Sequence, residues 1–156
     1  MNTSLFKEIC STYATGVTII TSKDNNIDYG FKANSFTSVS IDPLLVIFCL
    51  NKEAKSNIPL KKNSFFNVSI LSNVQKDICY QFANNKLSQE ERFSGVETTK
   101  SKNNIKIISN SCSFLECKIT NVISAGDHFI YIGKCLSGEI NKSNLNPLIY
   151  HKGKTL

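Results

Sequence analysis

Tryptophan is absent from this sequence of 156 residues and methionine occurs once, so the apolar core must be built mainly from aliphatic side chains and ten phenylalanines. The sequence also lacks an apolar run of about 18 or more residues, and we therefore expect no membrane-spanning helix. Its first residues contain no basic segment followed by an apolar one, which is the pattern of a secretory signal peptide. We therefore expect neither membrane insertion nor export through a signal peptide.

Several motifs of nucleotide, metal and hydrolytic chemistry are also missing. There is no GxGxxG, no Walker A sequence and no convincing Ser-His-Asp or Cys-His set. Among the six cysteines, Cys112 and Cys117 are close in sequence, but they lack CxxC spacing, a second pair and a nearby histidine, so we predict no metal site. Cysteines scattered through apolar segments are typical of free thiols in a reducing compartment, and we predict a cytoplasmic protein.

The formal net charge of +6 and the pI near 9.0 raise the question of nucleic-acid binding. The lysines are dispersed, however, and only Phe129, Tyr131 and Lys134 place aromatic rings and a lysine close together on one strand. A barrel that binds single-stranded nucleic acid by stacking therefore ranks last of three candidate functions. Our expectation is that the protein has no nucleic-acid partner. A basic surface also attracts anionic small molecules.

Hydrophobic periodicity predicts many strands and few helices. We predict helices at residues 4–13 and 73–84, the latter begun by a capping box at 72–75, and a short helix near Ser56. Strands are predicted at 17–21, 28–41 (broken near Ala33–Asn34), 44–50, 65–71, 114–123, 128–136 and 147–150, and residues 84–104 as a loop. Strands and helices do not alternate, so we predict one mainly β domain over residues 1–156, a closed or split antiparallel β-barrel with a few short flanking helices.

The segment Gly30–Leu50 carries the clearest functional signal. A run rich in small hydroxyl residues, among them Ser35, Ser38 and Ser40, leads into the apolar strand 44–50. A covered hydroxyl group without a hydrogen-bond partner costs about 1–3 kcal/mol. The plainest partner for this run is a polar ligand that lies on a β-sheet, although an exposed β-face would suit the same residues.

Motifs along nearly the whole chain occur in the order found in one known family. They are Ala14–Thr18, GFKANSFTSVS at 30–40 with Asp42–Leu44 behind it, Phe65–Leu71 with Gln75, Gln81–Ala83, Arg92–Gly95, Leu115–Cys117, Ala125–His128 and Pro147–Tyr150. Together they resemble the flavin reductase-like domains, which include the small reductase components of two-component monooxygenases. The resemblance implies their fold, the FMN-binding split barrel, which is a split antiparallel β-barrel of Greek-key type. Lys32 departs from the pattern, because the family often has a small or apolar residue there.

The resemblance implies a flavin that lies across the strand containing GFKANS. The residues expected around its ring and ribityl chain are Lys32, Ala33, Asn34, Ser35, Ser38, Ser40, Leu50 and Asn51. The lysine could approach the dimethylbenzene edge or the phosphate, or it could point to solvent. Lys55 and Ser56 are expected to bind the phosphate, because backbone N–H groups at a helix start, a hydroxyl and an ammonium all favour an anion. The alternative is a plain N-cap beside a surface lysine.

The remaining residues that the resemblance implicates lie further along the chain. Phe82 and Ala83 are expected near the flavin, although the spacing of Phe82 also suits a core residue. Arg92 fits either an ion pair with its acidic neighbours or a cofactor phosphate. Gly126, Asp127 and His128 are expected beside the nicotinamide, where His128 would be the catalytic residue; the alternative is a turn histidine, with Asp127 capping the loop. We interpret His151 as a surface or dimer-interface residue.

The leading prediction is an NAD(P)H-dependent flavin reductase, an enzyme that moves hydride from NADH or NADPH to FMN or FAD. Such an enzyme needs no protein nucleophile, because the cofactor supplies the difficult chemistry. The resemblance also implies a homodimer and a partner monooxygenase that receives the reduced flavin. The alternative is a flavin-binding electron carrier with little NAD(P)H turnover.

Overall fold

The computed structural model describes residues 1–141 and 145–156. The helices are α1 (Thr3–Ser11), α2 (Lys76–Ala83) and α3 (Gln89–Phe93), with a 3-10 turn at Lys55–Asn57. The strands are β1 (Thr15–Gly16), β2 (Thr18–Asp24), β3 (Ile27–Ala33), β4 (Thr37–Ile41), β5 (Leu44–Asn51), β6 (Phe65–Ile70), β7 (Thr98–Lys100), β8 (Lys106–Ile108), β9 (Ser113–Ala125), β10 (His128–Ile140), β11 (Ile149–His151) and β12 (Lys154–Thr155). None of the helices in the described part of the chain is both long and apolar enough to cross a membrane.

Seven of these strands form one antiparallel sheet in the order β3-β2-β6-β9-β10-β5-β4. The sheet coils on itself, because Phe31 near one edge packs on Phe48 near the other with ring centroids 5.8 Å apart. The edge strands β3 and β4 are not paired with each other, so the barrel is split. The structure therefore confirms the predicted fold class, including the break in the polar segment, which separates β3 from β4 at residues 34–36.

Two apolar clusters stabilise this sheet. The inner cluster fills the barrel around Phe48, which stacks on Tyr131 at 5.0 Å and meets Phe66 edge-to-face at 5.2 Å. The outer cluster lies under α2 and α3, where Phe82 and Phe93 pack edge-to-face at 5.0 Å. Aromatic pairs in such geometries contribute about 0.5–1.5 kcal/mol beyond the area that they bury. The inner cluster thus packs β5 against β10 through Phe48 and Tyr131.

Two local predictions are wrong. The capping box predicted at residues 72–75 does not begin a helix: Gln75 caps α2 through its backbone position alone, and Ser72 pairs instead with Pro147 in an isolated bridge. The capping box in the structure lies at Ser88 and Glu91, where it begins α3 inside the segment predicted as a loop. Strand β7 also lies within the segment predicted as a loop, and its partner β8 follows directly after that segment. A tertiary contact of Ser72 decides the first region, whereas in the second a local capping box begins α3.

Candidate functional site

The candidate site lies where β5 ends beside the start of β10. In the register between these strands, Asn51 is opposite His128 and Leu50 is opposite Phe129. The hairpin between β9 and β10 turns at Gly126–Asp127, and the positive φ of Gly126 (59°) at the first central position is that of a type II′ turn. The turn thus brings three residues of the predicted site, 126–128, next to the predicted Leu50–Asn51.

His128 and Asp127 form a hydrogen-bonded pair at this hairpin. The distance from His128 Nδ1 to Asp127 Oδ1 is 2.8 Å, and the side chains are 43% and 85% exposed. The hydrogen bond from His128, followed by the attraction of its charge, lowers the pKa of the Asp127 carboxyl. His128 therefore has the geometry of a turn histidine. The hydrogen bond to Asp127 fixes the imidazole so that its other nitrogen, Nε2, can face a ligand.

The loop that follows β5 is fastened to the same hairpin. The backbone N–H of Lys52 donates to the Asp127 carbonyl at 3.0 Å, and the Lys52 ammonium lies 5.5 Å from the centroid of the Phe129 ring. Inside the loop, the N–H of Glu53 donates to the Asn51 side chain at 2.8 Å. Loop 51–57 and the hairpin therefore form one surface that carries positive charge from Lys52 and Lys55.

Lys55 and Ser56 present an anion-binding geometry on this loop. They open the 3-10 turn, and within the described chain no acceptor is found for their backbone N–H groups. Lys55 is exposed, whereas Ser56 is 3% exposed and its Oγ accepts a hydrogen bond from Gln89 Nε2 at 3.1 Å. Because Ser56 Oγ already accepts this bond, its own proton remains to be donated. Two N–H groups, a hydroxyl and an ammonium fit a phosphate in charge and donor type.

Helix α3 attaches this loop to the edge strand β3. Gln89 accepts a hydrogen bond from the Gly30 N–H at 2.8 Å while its amide donates to Ser56. Arg92 donates to the Gly30 carbonyl at 2.8 Å, so side chains of α3 satisfy both polar backbone groups of this edge residue. Unpaired groups on an edge strand otherwise attract other chains. Gln89 therefore connects the open edge of the barrel with the candidate phosphate site.

Arg92 is a structural residue rather than a surface cation. It is 7% exposed, and it also donates to the Asn84 carbonyl at the end of α2 at 3.1 Å. Burial lowers the pKa of its guanidinium. No carboxylate lies within ion-pair distance of it among residues 1–141 and 145–156, so the proposed ion pair with its acidic neighbours is wrong. In return, the Gln81 amide donates to the Glu91, Arg92 and Ser94 carbonyls, and α2 and α3 thus cap each other.

Lys32 points neither into the barrel nor fully to solvent. Its ammonium lies 4.0 Å from the centroid of the Tyr150 ring and 3.4 Å from Asn34 Oδ1. Burial against α2 lowers the pKa of Lys32, and the nearby Cys79 opposes that shift. The lysine therefore attaches strand β11 to the barrel edge through the Tyr150 ring, a contact that a small or apolar residue could not make.

The other predicted residues of the polar run have different surroundings. Ser35 contacts β5, because its Oγ accepts from the Cys49 N–H at 2.9 Å and donates to the Cys49 carbonyl at 3.2 Å. Ala33 is buried, and its carbonyl accepts from Thr18 at 2.8 Å. Ser38 and Ser40 pair with Val46 and Leu45 on β5, about 13 Å or more along the strand from its site end.

The structure therefore brings most, but not all, of the predicted residues together. Ser35, Leu50, Asn51, Lys55, Ser56 and the hairpin residues 126–128 converge at one end of β5. Ser38 and Ser40 lie further along the sheet, and Phe82, which is 1% exposed, is a core residue as its spacing suggested. Ala83 is the exposed last residue of α2.

Three residues at the site were not predicted: Gln89, Asn57 and Tyr131. Gln89 lies in a segment that we interpreted as a loop, and its role depends on α3 folding back onto β3. Asn57 and Tyr131 meet through a hydrogen bond of 2.7 Å between residues 74 positions apart in the chain. No local pattern signals such a contact. Only the capping box at Ser88 could have revealed the position of Gln89 at the start of a helix.

Comparisons with known proteins identify relatives of this chain. The family model described as "Flavin reductase like domain" matches residues 10–155. A protein of Rhizobium meliloti (strain 1021) named "Probable flavin reductase" is 38% identical over 142 residues, 90% of this chain and 44% of the relative. The reductase subunit HsaB of a flavin-dependent monooxygenase from Rhodococcus jostii (strain RHA1) is 30% identical over 150 residues, 96% of this chain and 74% of that protein. This chain thus spans less than half the length of the Rhizobium relative.

A solved structure agrees with these relatives. The NADH:FAD oxidoreductase SgcE6 of Streptomyces globisporus C-1027, in complex with NAD and FAD fragments, matches with a TM-score of 0.89 at 26% identity. The match covers 98% of this chain and 90% of that structure. The fold, the order of motifs and the family model all agree with the resemblance predicted from the sequence, and the chain belongs to the family of flavin reductase-like domains.

Proposed function

We propose that the protein is an NAD(P)H-dependent flavin reductase, organised as one domain, that transfers hydride from a nicotinamide to FMN or FAD. One observation carries this proposal: the anion-binding loop at Lys55–Ser56 and the hairpin with His128 meet at the end of β5. The names of the relatives agree with the activity and the cofactors that the sequence predicted. The flavin supplies the hydride-accepting chemistry when it is bound.

The residues present suit such a cofactor. Lys55 and the backbone N–H groups of Lys55 and Ser56 would hold its phosphate, because they combine positive charge with donors that have no acceptor within residues 1–141 and 145–156. Asn34, Ser35 and Asn51 are the polar groups at the adjacent strand ends, and they would meet the polar edge of the ring system. Gly126 suits the turn beside the site, because its φ of 59° is one that residues with a side chain rarely adopt.

His128 would orient the nicotinamide. Its Nδ1 is held by Asp127, so the ring is fixed in one direction and Nε2 remains to make a hydrogen bond to the carboxamide. The side chain is 43% exposed, which leaves room for a planar ligand against the ring. Orientation of two rings for transfer requires no proton exchange with the protein, so His128 acts by binding and positioning.

The test is a spectrum and a rate measurement. The purified protein is titrated with FMN, FAD and riboflavin, and oxidation of NADH and NADPH is followed with each. We expect flavin binding and flavin-dependent oxidation of at least one nicotinamide. We expect His128→Ala to lower nicotinamide turnover about tenfold or more, with flavin affinity within about twofold of wild type. Tight flavin binding without oxidation would instead select the electron carrier, and absence of flavin binding would refute both functions.

Two further parts of the proposal concern partners. We propose a homodimer, supported by exposed apolar side chains at the end of β10 remote from His128: Leu136 is 51% and Ile140 77% exposed. They line a groove of about 430 Å³ together with Leu44 and Phe114. Sedimentation of the protein at micromolar concentration tests this, and a monomer at all concentrations would contradict it.

We also propose that the reduced flavin passes to a partner oxygenase in the cytoplasm. The Rhodococcus relative is named as the reductase subunit of such an enzyme, and the six cysteines are all free, which suits a reducing compartment. The test is to add the protein, NADH and flavin to a flavin-dependent monooxygenase that lacks its own reductase. Product formation would support the transfer. If nicotinamide were oxidised without any product from several such oxygenases, this role would be refuted.

A further inference from the structure

The amide of Asn57 makes an unusual number of contacts inside loop 51–57. Its Nδ2 donates to the carbonyls of Asn51 at 2.8 Å, Lys52 at 2.9 Å and Ala54 at 2.9 Å. An NH₂ group has two protons, so at least one proton is shared between two of the three carbonyl acceptors. The side chain therefore draws the first half of the loop around itself. No other residue of the loop connects so many of its carbonyl groups.

The other end of the same amide is held by the barrel core. Asn57 Oδ1 accepts a hydrogen bond of 2.7 Å from the Tyr131 hydroxyl, and this fixes which end of the amide faces the loop. Tyr131 is 2% exposed and stacks on Phe48 at 5.0 Å with an interplanar angle of 14°. Its ring is thus immobilised in the inner cluster. The loop is consequently positioned by a rigid group rather than by another loop.

This network lies directly behind the candidate phosphate site. Lys55 and Ser56 stand between the carbonyl of Ala54, which Asn57 holds, and Asn57 itself. The N–H of Asn57 also closes the turn by donating to the Ala54 carbonyl at 3.0 Å. The direction of the two open N–H groups depends on that turn. A donor that is held in place before the anion arrives binds it more tightly, because less conformational entropy is lost on binding.

We propose that Asn57, oriented by Tyr131, is a positioning residue that holds loop 51–57 in the conformation that binds the phosphate of the flavin. This inference rests on the proposed function and goes beyond it, because it assigns the affinity for the phosphate to a side chain that does not touch the ligand. It also makes a distinction between ligands. FMN has the phosphate and riboflavin lacks it, so the network should matter for FMN alone.

The experiment measures the Kd of FMN and of riboflavin for wild type, Asn57→Ala and Tyr131→Phe. We expect the Kd of FMN to rise about tenfold in Asn57→Ala and about fivefold in Tyr131→Phe. The Kd of riboflavin should stay within about twofold of wild type in both variants, and so should kcat at saturating flavin. In the double variant, the Kd of FMN should equal that of Asn57→Ala, because the hydroxyl acts only through the amide.

Asn67→Ala is the matched control. Asn67 is also a buried asparagine that donates to two backbone carbonyls, those of Ile105 at 3.2 Å and Lys106 at 3.3 Å. It lies on β6, which β9 and β10 separate from β5 in the sheet. We expect this variant to lose thermal stability and to keep the FMN affinity of wild type. Asn57 variants that lose stability alone, with unchanged FMN affinity, would refute the positioning role.

The remaining outcomes are also decisive. Equal weakening of FMN and riboflavin would show that Asn57 shapes the whole site rather than the phosphate loop, and it would overturn the inference. If Asn57→Ala does not fold, Tyr131→Phe decides, because it keeps the ring that stacks on Phe48 and removes only the hydroxyl. Wild type that binds no flavin would refute the proposed function and the inference with it. Wild type that binds both flavins with variants that match it would refute the inference alone.

Discussion

Replacement of Arg92 by methionine should lower the stability of the protein substantially and leave flavin binding intact. The guanidinium donates to two carbonyls, those of Gly30 at 2.8 Å and Asn84 at 3.1 Å, and more weakly to the Asn85 side chain at 3.5 Å. Methionine has a similar length and no donor. The substitution would therefore leave the Gly30 carbonyl on the edge strand β3 without a partner among the described residues, and the Asn84 carbonyl at the end of α2 with only a long hydrogen bond of 3.4 Å from the Leu87 N–H.

The magnitude follows from these contacts. Hydrogen bonds to a charged group contribute about 1.5–3 kcal/mol each, so the two short bonds represent about 3–6 kcal/mol before offsets. Burial of the charge offsets part of this gain, as the lowered pKa of Arg92 indicates, and its Nε lacks a partner among the described residues. We therefore expect the free energy of unfolding to fall by about 3 kcal/mol. For a chain of this size, that corresponds to a decrease in Tm of about 6–12 °C.

Urea unfolding followed by circular dichroism measures this change, and FMN titration at 15–20 °C follows binding in the folded variant. Lys102→Met is the matched control, because Lys102 is exposed and its removal should change the free energy of unfolding by no more than about 0.5 kcal/mol. A change below about 1 kcal/mol for Arg92→Met would refute the structural role. Loss of FMN affinity without loss of stability would restore Arg92 as a phosphate ligand.

Two further substitutions or reactions test the packing of the fold. A Cβ added at Gly30 would meet Phe82 and, at 2.9 Å, Phe93, so Gly30→Ala should lower the free energy of unfolding by about 1–3 kcal/mol. Gly16→Ala is the control, because the space around Gly16 is open and the change should stay within about 0.5 kcal/mol. Equal effects of the two substitutions in urea unfolding would contradict this packing. At pH 8 a thiol reagent should label Cys10 rapidly, because it is exposed, and Cys117 only on unfolding, because burial raises the pKa of its thiol. Rapid labelling of Cys117 in the folded Cys10→Ser variant, located by mass spectrometry of its peptides, would show that the core opens, whereas labelling of the partly exposed Cys49, Cys112 or Cys135 would not.

The sequence predicted the sheet better than the helices. Apolar strands such as β5 and the alternating β9 are visible in the pattern of side chains, because the strand period of two is imposed by the barrel wall. The start of α2 was predicted three residues too early. Ser72 there had the sequence of a cap, but its hydroxyl donates to the Asn110 carbonyl, a partner 38 residues away. A local motif cannot show that a distant turn competes for the same side chain.

The candidate site shows the same division. The hairpin with His128 and the pair Lys55–Ser56 could be located because each is a local motif that resembles a family pattern. The hydroxyl run was harder to interpret. Ser35 uses its hydroxyl to hold the segment 34–36 against Cys49, whereas Ser38 is exposed on an edge strand. These serines are the same residue type, but their hydrogen-bond partners differ. Only the register between β4 and β5 shows which of them lies near the site.

The position of the site explains why binding and stability should respond to different substitutions. Its ligand-facing groups lie on a turn and a loop, which the Lys52 N–H joins by donating to the Asp127 carbonyl. Few side-chain contacts hold the loop from behind: Gln89 of α3 with Ser56, and Tyr131 of the barrel with Asn57. The strands behind them are held by the aromatic core. Removal of one attachment therefore costs little of the folding free energy, because the core remains intact. It changes ligand affinity more, because part of the binding free energy is then used to order the loop.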